Sequence, residues 1–312
     1  MSTKVRREQW IAFLMLLPSI ILIGIFVYGF IAWSGIVSVS RWDGIQPDYT
    51  WVGLRNYQQL FSPAAGGISA RRFNIDLWNT FFFTTFFLLL CVVIGLLLAI
   101  LLDQKVKGEG IFRTIYLFPM AISFVVTGVV WQWIFAPGTA ARPRGVNALF
   151  DILGLENLKW GWYTDPATIG SFHIALIPVF IAAAWQMTGY TMAMYLAALR
   201  GIPDDLREAA RVDGATNVGV YRYVIMPLLT PITFSALIVL GHISLKIFDL
   251  IYTMTGKGPA FATDVPGIFM FETTFQGNHY AQGAAISIIM LLMVALVIIP
   301  YLIYTFHREV EL

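Results

Sequence analysis

The sequence predicts an all-α protein threaded six times through a lipid bilayer, and three observations carry that expectation. Of its 312 residues, 58% are hydrophobic and only 12% charged, about half the charge of a soluble domain. Mean hydropathy is +0.73. Six runs, each nearly free of charge, reach the ~20 residues that a helix needs to cross a hydrocarbon core of about 30 Å.

The expected spans cover residues 10–37, 77–102, 115–135, 173–199, 226–252 and 283–306. Pro18, Pro178 and Pro300 fall inside three of them and are expected to kink the helices, which membrane helices tolerate when neighbours satisfy the freed carbonyls. The first span follows Lys4, Arg6 and Arg7. It is longer than a signal-peptide core and lacks a small-residue cleavage site, so a retained helix is expected. With the N-terminus inside, the inner segments hold 11 Lys/Arg in 51 residues and the outer segments 8 in 97. That density bias predicts that both termini are cytoplasmic. Outer segments carrying Trp42, Trp51, Trp160 and Trp162 read as interfacial caps, and residues 1–312 read as a single transmembrane domain without repeats.

Composition also excludes several functions. A formal charge of +2, evenly spread, does not supply the concentrated basic face that nucleic acid requires. Cys91 is the single cysteine and has no disulfide partner in the chain. His173, His242, His279 and His307 are too widely spaced to suggest a metal site. A phosphate-cradling loop would read G-x-x-x-x-G-K-[ST]. The one Gly-Lys pair, Gly256-Lys257, follows Ile251 where Gly is needed and precedes Gly258 where Ser or Thr is needed. Catalytic residues, cofactor and metal are therefore all expected to be absent.

The segment 200–224, on the inner side, is the most informative. Arg200-Gly201-Ile202-Pro203-Asp204-Asp205-Leu206-Arg207-Glu208-Ala209-Ala210-Arg211-Val212-Asp213-Gly214 reads as a short helix between two punctuators. Pro203 suits a first turn, Asp204 and Asp205 complement the positive helix end, and Gly214 can adopt the left-handed conformation after the last turn. Glu208 and Arg211, at i,i+3, suit a solvated face. An amphipathic connector would explain these features alone.

Glu208-Ala209-Ala210, then three residues, Gly214, then nine residues and Val224-Ile225-Met226-Pro227 resembles the EAA loop of ABC importer permeases. Val224 stands where the family has Ile, and Met226 where it has Leu. The resemblance implies a type I importer permease fold and a coupling helix that docks on a separate ATPase, with Asp205, Glu208, Ala209, Ala210, Asp213 and Gly214 as coupling residues. It further implies a second permease subunit, two ATPase subunits that bind the ATP and Mg, an external sugar-binding protein, and the inner membrane of a prokaryote.

Trp185-Gln186-Met187-Thr188-Gly189-Tyr190 and Lys246-Ile247-Phe248-Asp249-Leu250 through Gly258-Pro259 resemble the maltose-permease-like carbohydrate branch, with Lys257 where that branch usually has Gly. By that resemblance Trp185, Gln186, Tyr190, Ser244, Lys246 and Asp249 are candidates to line the sugar path. Gln186 and Tyr190 share a helix face at i,i+4, and hydroxyl-bonding and aromatic groups suit a sugar. The same residues can equally serve as polar glue between helices. On a continuous fifth helix His242, Lys246 and Asp249 share one face, where Lys246 and Asp249 can pair with each other or meet substrate. Trp131, Gln132, Trp133 and Asn79 are weaker candidates. The rival class is a proton-coupled secondary transporter, for which intramembrane His, Lys and Asp are also suited; discontinuous helices would favour it, and none is expected.

Overall fold

The computed structural model describes residues 3–104, 106–139 and 141–310, with side chains placed from residue 10 to residue 303. The side chains of Lys4, Arg6, Arg7 and His307 therefore lie outside those described. The chain forms two compact units, Met1–Ala70 with Phe269–Leu291, and Arg71–Ile268 with Leu292–Leu312.

In the first unit, α1 (Thr3–Ile23) continues through a π-helical segment, Gly24–Gly29, into α2 (Phe30–Ser38). No residue from Trp10 to Ile36 is buried. A surface that apolar persists only against lipid or another subunit. The loop that follows returns through a Ser40–Trp51 bridge to α3 (Arg55–Phe61) and α4 (Pro63–Gly66).

The long helix α5 (Ile68–Asp103) has 36 residues, about 54 Å at 1.5 Å per residue, and so exceeds the bilayer core. It begins nine residues before the expected 77. The extension is stabilised by side chains: Arg72 Nε donates to Asp264 Oδ2 at 2.5 Å, with Asp264 fully buried. Asn79 Nδ2 donates to the carbonyls of Phe261 and Asp264, both at 2.9 Å, and its Oδ1 lies 2.8 Å from His173 Nδ1. Burial pushes the His173 imidazole below its usual range, and the Asn79 oxygen, an acceptor, requires that Nδ1 carry a proton.

The third span is not one helix. Its first half, α6 (Glu109–Leu117), tightens into a 3₁₀ turn (Phe118–Ala121), and the second half, α7 (Phe124–Ile134), departs at 101°. Pro119 sits in the tight turn, and Ser123 restarts the helix by accepting the Val126 N–H on its side chain. The following loop holds the hairpin β1 (Gly138–Thr139) and β2 (Arg142–Pro143), α8 (Gly145–Ile152), and the hairpin β3 (Thr168–Ile169) and β4 (Phe172–His173).

At the centre of the second unit stands α9 (Leu176–Gly201), 16 of whose 26 residues are buried. Pro178 lies in its first turn, where no intrahelical bond is lost, so it starts the helix and does not kink it. One hydrophobic cluster surrounds the first half of α9 with Phe83, Phe87, Leu250 and Ile268; another surrounds its end with Leu102, Val220, Ile225 and Leu229. The inner loop forms α10 (Asp204–Val212) and α11 (Asn217–Val220), which runs through a π segment into α12 (Met226–Leu245).

The fifth span is also broken. It ends at Leu245, and α13 (Asp249–Met254) begins only after Lys246, Ile247 and Phe248, with Phe248 at φ −133°, ψ −59°. The expected continuous helix over 226–252, and the absence of discontinuous helices, are thus both corrected. After α14 (Pro266–Phe271) and a π turn (Glu272–Gln276), α15 (Tyr280–Val310) forms the last span. Counting the bent pair as one crossing, six helical spans among the described residues are long and apolar enough to cross a membrane.

Candidate functional site: an inner docking loop and two broken helices

The inner loop is an exposed helix on a rigid mount. Arg207 Nη1 donates to Asp103 Oδ2 at 2.9 Å and its Nη2 donates to the Leu199 carbonyl at 3.0 Å. That guanidinium neutralises a carboxylate at the C-terminal end of α5, where the helix dipole alone disfavours it, and satisfies a terminal carbonyl of α9. Arg200 pairs with Glu109 of α6 at 2.7 Å. Arg207 thus ties α10 to the ends of α5 and α9, and Arg200, in the last turn of α9, ties that helix to α6. An Arg207→Ala substitution is expected to cost about 1.5–3 kcal/mol, the scale of charged hydrogen bonds. Thermal unfolding of the single variants and of Asp103→Arg/Arg207→Asp measures the coupling, which the swap recovers in part.

The far end of α10 closes with a Schellman motif. Ala215 N–H donates to the Ala210 carbonyl and Gly214 N–H to the Arg211 carbonyl, both at 3.0 Å. Gly214 sits at φ +85°, a conformation that disfavours any side chain. Thr216 then caps α11 by accepting the Gly219 N–H at 3.2 Å. Pro203 is the residue before the helix and not its first turn.

Of the six loop candidates, Asp205, Glu208, Ala209, Asp213 and Gly214 are exposed, whereas Ala210 is half-buried and packs against the inner end of the core. The two alanines thus divide their work: Ala210 seats the helix and Ala209 leaves its outer surface low. No ion pair within 4 Å joins Glu208 to Arg211 among the described residues. Leu206, Val212, Val218 and Tyr223 are exposed nearby, with Val212 at 87%. A surface mixing a free carboxylate with apolar tips suits a protein partner.

The second group of candidates lies around the two breaks. Gln186 is buried and its Nε2 donates to the Ile122 carbonyl at 2.6 Å, satisfying the backbone where α6 ends and α7 restarts. Its Oε1 is buried without a protein donor. Trp185 is 41% exposed, meets Trp131 edge to face at 5.7 Å, and lines an apolar groove of about 410 Å³ with Tyr116, Ile181 and Thr188. Tyr190 is half-buried and packs against the outer core cluster.

Ser244 is buried and donates to the Gly241 carbonyl at 2.8 Å, so its hydroxyl proton is engaged within its own helix. Lys246 and Asp249 are exposed at the break in the fifth span. Lys246 caps the helix that carries His242, whereas Asp249 starts the next helix, so the three do not share one continuous helical face, and no ion pair within 4 Å joins Lys246 to Asp249 among the described residues. Non-helical backbone at membrane depth persists only where protein buries it or water reaches it. Two exposed charges at such a break mark a wet face or a subunit interface. Replacing Gln186 with Leu is expected to cost about 1–3 kcal/mol through the unsatisfied Ile122 carbonyl, and Gln186→Glu removes the same donor; thermal unfolding of both variants checks this.

Reading the sequence did not find the Arg207–Asp103 and Arg200–Glu109 anchors, the Arg72–Asp264–Asn79–His173 network, or either break. Only Pro119 and Ser123 signalled one of them locally.

Comparison with known proteins agrees with this architecture. Residues 91–309 match the family described as binding-protein-dependent transport system inner membrane component. A probable ABC transporter permease of Pyrococcus horikoshii is 43% identical, over 95% of this chain and 96% of that protein. The xylose/arabinose import permease of Haloferax volcanii is 37% identical over 92% and 86%, and the trehalose/maltose transport system permease of Thermococcus litoralis 30% over 97% and 96%. The crystal structure of a bacterial ABC transporter that imports alginate contains a chain with the same fold, at a TM-score of 0.74 and 23% identity, covering 94% of this chain and 96% of that one. The exposed loop on its rigid mount, the six spans and these relatives place the chain in the binding-protein-dependent transport system inner membrane component family: it is a permease subunit of an ABC importer.

Proposed function

We propose that this chain forms one half of the membrane path of an ATP-driven sugar importer. The observation that carries the reading is the inner loop, whose Asp205, Glu208, Ala209, Asp213 and Gly214 stand exposed on and just after a helix that Arg207 ties to α5 and α9. A helix anchored to the ends of two spans transmits displacement of its docking partner to the helices behind it. ATP and Mg belong to two separate ATPase subunits, since this sequence holds no phosphate-cradling loop. A second permease covers the apolar surfaces left exposed, and a soluble sugar-binding protein delivers cargo from the outer side. The assembly sits in the cell membrane of a prokaryote with both termini of this chain cytoplasmic, in keeping with the Lys/Arg density.

The cargo is a neutral mono- or disaccharide. Two relatives are named for pentoses or for trehalose and maltose. Lys246 is the one Lys or Arg inside the expected spans, too few cations for a path selecting phosphate esters. Trp185, Gln186, Tyr190, Ser244, Lys246 and Asp249 border that path, Gln186 and Ser244 by shaping the helices and Lys246 and Asp249 by exposing charge. The broken helices remove one argument against a proton-coupled transporter; family membership decides between the two classes.

The test is ATP hydrolysis by the complex reconstituted with its ATPase and second permease, with and without binding protein, across a sugar panel. Stimulation by one sugar-loaded binding protein is expected. Hydrolysis indifferent to every sugar, or sugar uptake driven by a proton gradient without ATPase, overturns the reading.

A further inference from the structure

The first compact unit contains a polar pocket that neither the inner loop nor the sugar path uses. It encloses about 220 Å³ and is lined by Arg41, Asp43, Arg55, Gln59, His279 and Gln282, among others. Its frame is rigid: Gly44 N–H donates to the Asn278 carbonyl and Ala281 N–H to the Trp42 carbonyl, both at 2.9 Å. The Asn56 amide adds donations to the carbonyls of Ser38 at 2.8 Å and Ser40 at 2.9 Å.

The lining holds two guanidinium groups and one carboxylate among side-chain amides. Asp43, the one carboxylate, is held by His279 Nδ1. Arg41 spends its Nε on Asp48, outside the pocket, at 3.1 Å and keeps its terminal nitrogens. Arg55 has no carboxylate within 4 Å among the described residues, and Gln59 follows it one helical turn later on the same face of α3. A guanidinium beside amide donors, on a fixed frame, matches a carboxylate.

Span order and charge density set the side of the membrane. Residues 39–67 fall between spans one and two, and residues 272–279 between spans five and six, segments that the Lys/Arg density assigns to the outer side. A half-open pocket there faces the compartment from which cargo arrives. We propose that it receives an acidic side chain of the soluble sugar-binding protein and so orients that protein on the permease. This rests on the importer reading above.

The experiment titrates sugar-loaded binding protein into the reconstituted complex and reads the concentration giving half-maximal ATPase stimulation. Arg55→Glu and Gln59→Glu, which put a carboxylate into the pocket, are expected to raise that concentration about tenfold or more, while Arg55→Lys raises it less. Gln46→Glu, an exposed loop change outside the lining, serves as the control and is expected to leave it in place. Size-exclusion chromatography checks that each complex assembles. The wild-type value should also rise with salt more steeply than that of Arg55→Glu. An unmoved half-maximal concentration in both charge variants overturns the proposal and leaves the importer reading intact. Loss of sugar uptake at saturating binding protein, with that concentration unmoved, assigns the pocket to the cargo and also overturns it. Absence of stimulation in the wild-type complex with every sugar defeats the importer reading itself.

Discussion

Glu208→Lys is expected to abolish sugar-stimulated ATP hydrolysis and uptake in the reconstituted importer while leaving the permease itself as stable as the wild type. Glu208 is exposed and makes no ion pair within the chain among the described residues, so reversing its charge removes nothing that holds the fold together. Substitutions at exposed sites of this kind stay within about 0.5 kcal/mol. The effect falls on the docked state. A like-charge contact at an interface costs several kcal/mol, and ~3 kcal/mol corresponds to a more than hundredfold loss of affinity. Coupling should therefore fall by at least that factor at working subunit concentrations. The measurements are co-purification of the ATPase subunit, stimulated hydrolysis, and the thermal unfolding midpoint of the permease alone. A variant that keeps full stimulation would remove Glu208 from the docking surface. A lowered midpoint would give it a structural role that its exposure does not suggest.

Why the inner loop was readable in the sequence, and much of the membrane interior was not, follows from the range of the interactions. Gly214 and the acidic first turn act within one helical turn, so their roles follow from neighbouring letters. The spans are equally local, since hydropathy over ~20 residues is a property of a segment. The breaks are different. Around Ile122 only Pro119 and Ser123 mark the sequence, and nothing near them reveals that Gln186, 64 positions away, supplies a donor for the carbonyl that a bend would leave bare. The interruption at Lys246–Phe248 likewise depends on what stabilises non-helical backbone from outside the segment. Arg207 reads as a solvated-face cation until Asp103, 104 residues earlier, is seen beside it. The assignment of Ala210 to seating and Ala209 to the outer surface required the rotation of α10 on its mount, which pattern alone leaves open.

The other large effect is steric. Gly189 of α9 lies against the backbone of α6: a Cβ there would overlap the Tyr116 carbonyl oxygen and come within 2.8 Å of the carbonyl carbon and 3.1 Å of Leu117 Cα. Those atoms belong to main chain, which cannot rotate away as a side chain can. Residue 189 is also three positions from Gln186, which ties α9 to the Ile122 carbonyl, so moving α9 off α6 strains that hydrogen bond too. Gly189→Ala is therefore expected to destabilise by roughly 3 kcal/mol, the upper part of the range for overpacking, and Gly189→Val by more. Gly201, near the end of the same helix, has nothing within 4 Å of a built Cβ and a negative φ. Gly201→Ala should be neutral or stabilise by about 0.4–1 kcal/mol, because it only reduces the freedom of the unfolded chain. Unfolding midpoints of the three variants in one detergent test the contrast. Equal midpoints for Gly189→Ala and Gly201→Ala would mean that α6 can slide on α9 at little cost. The bend between α6 and α7 would then be a yielding joint and not a fixed one.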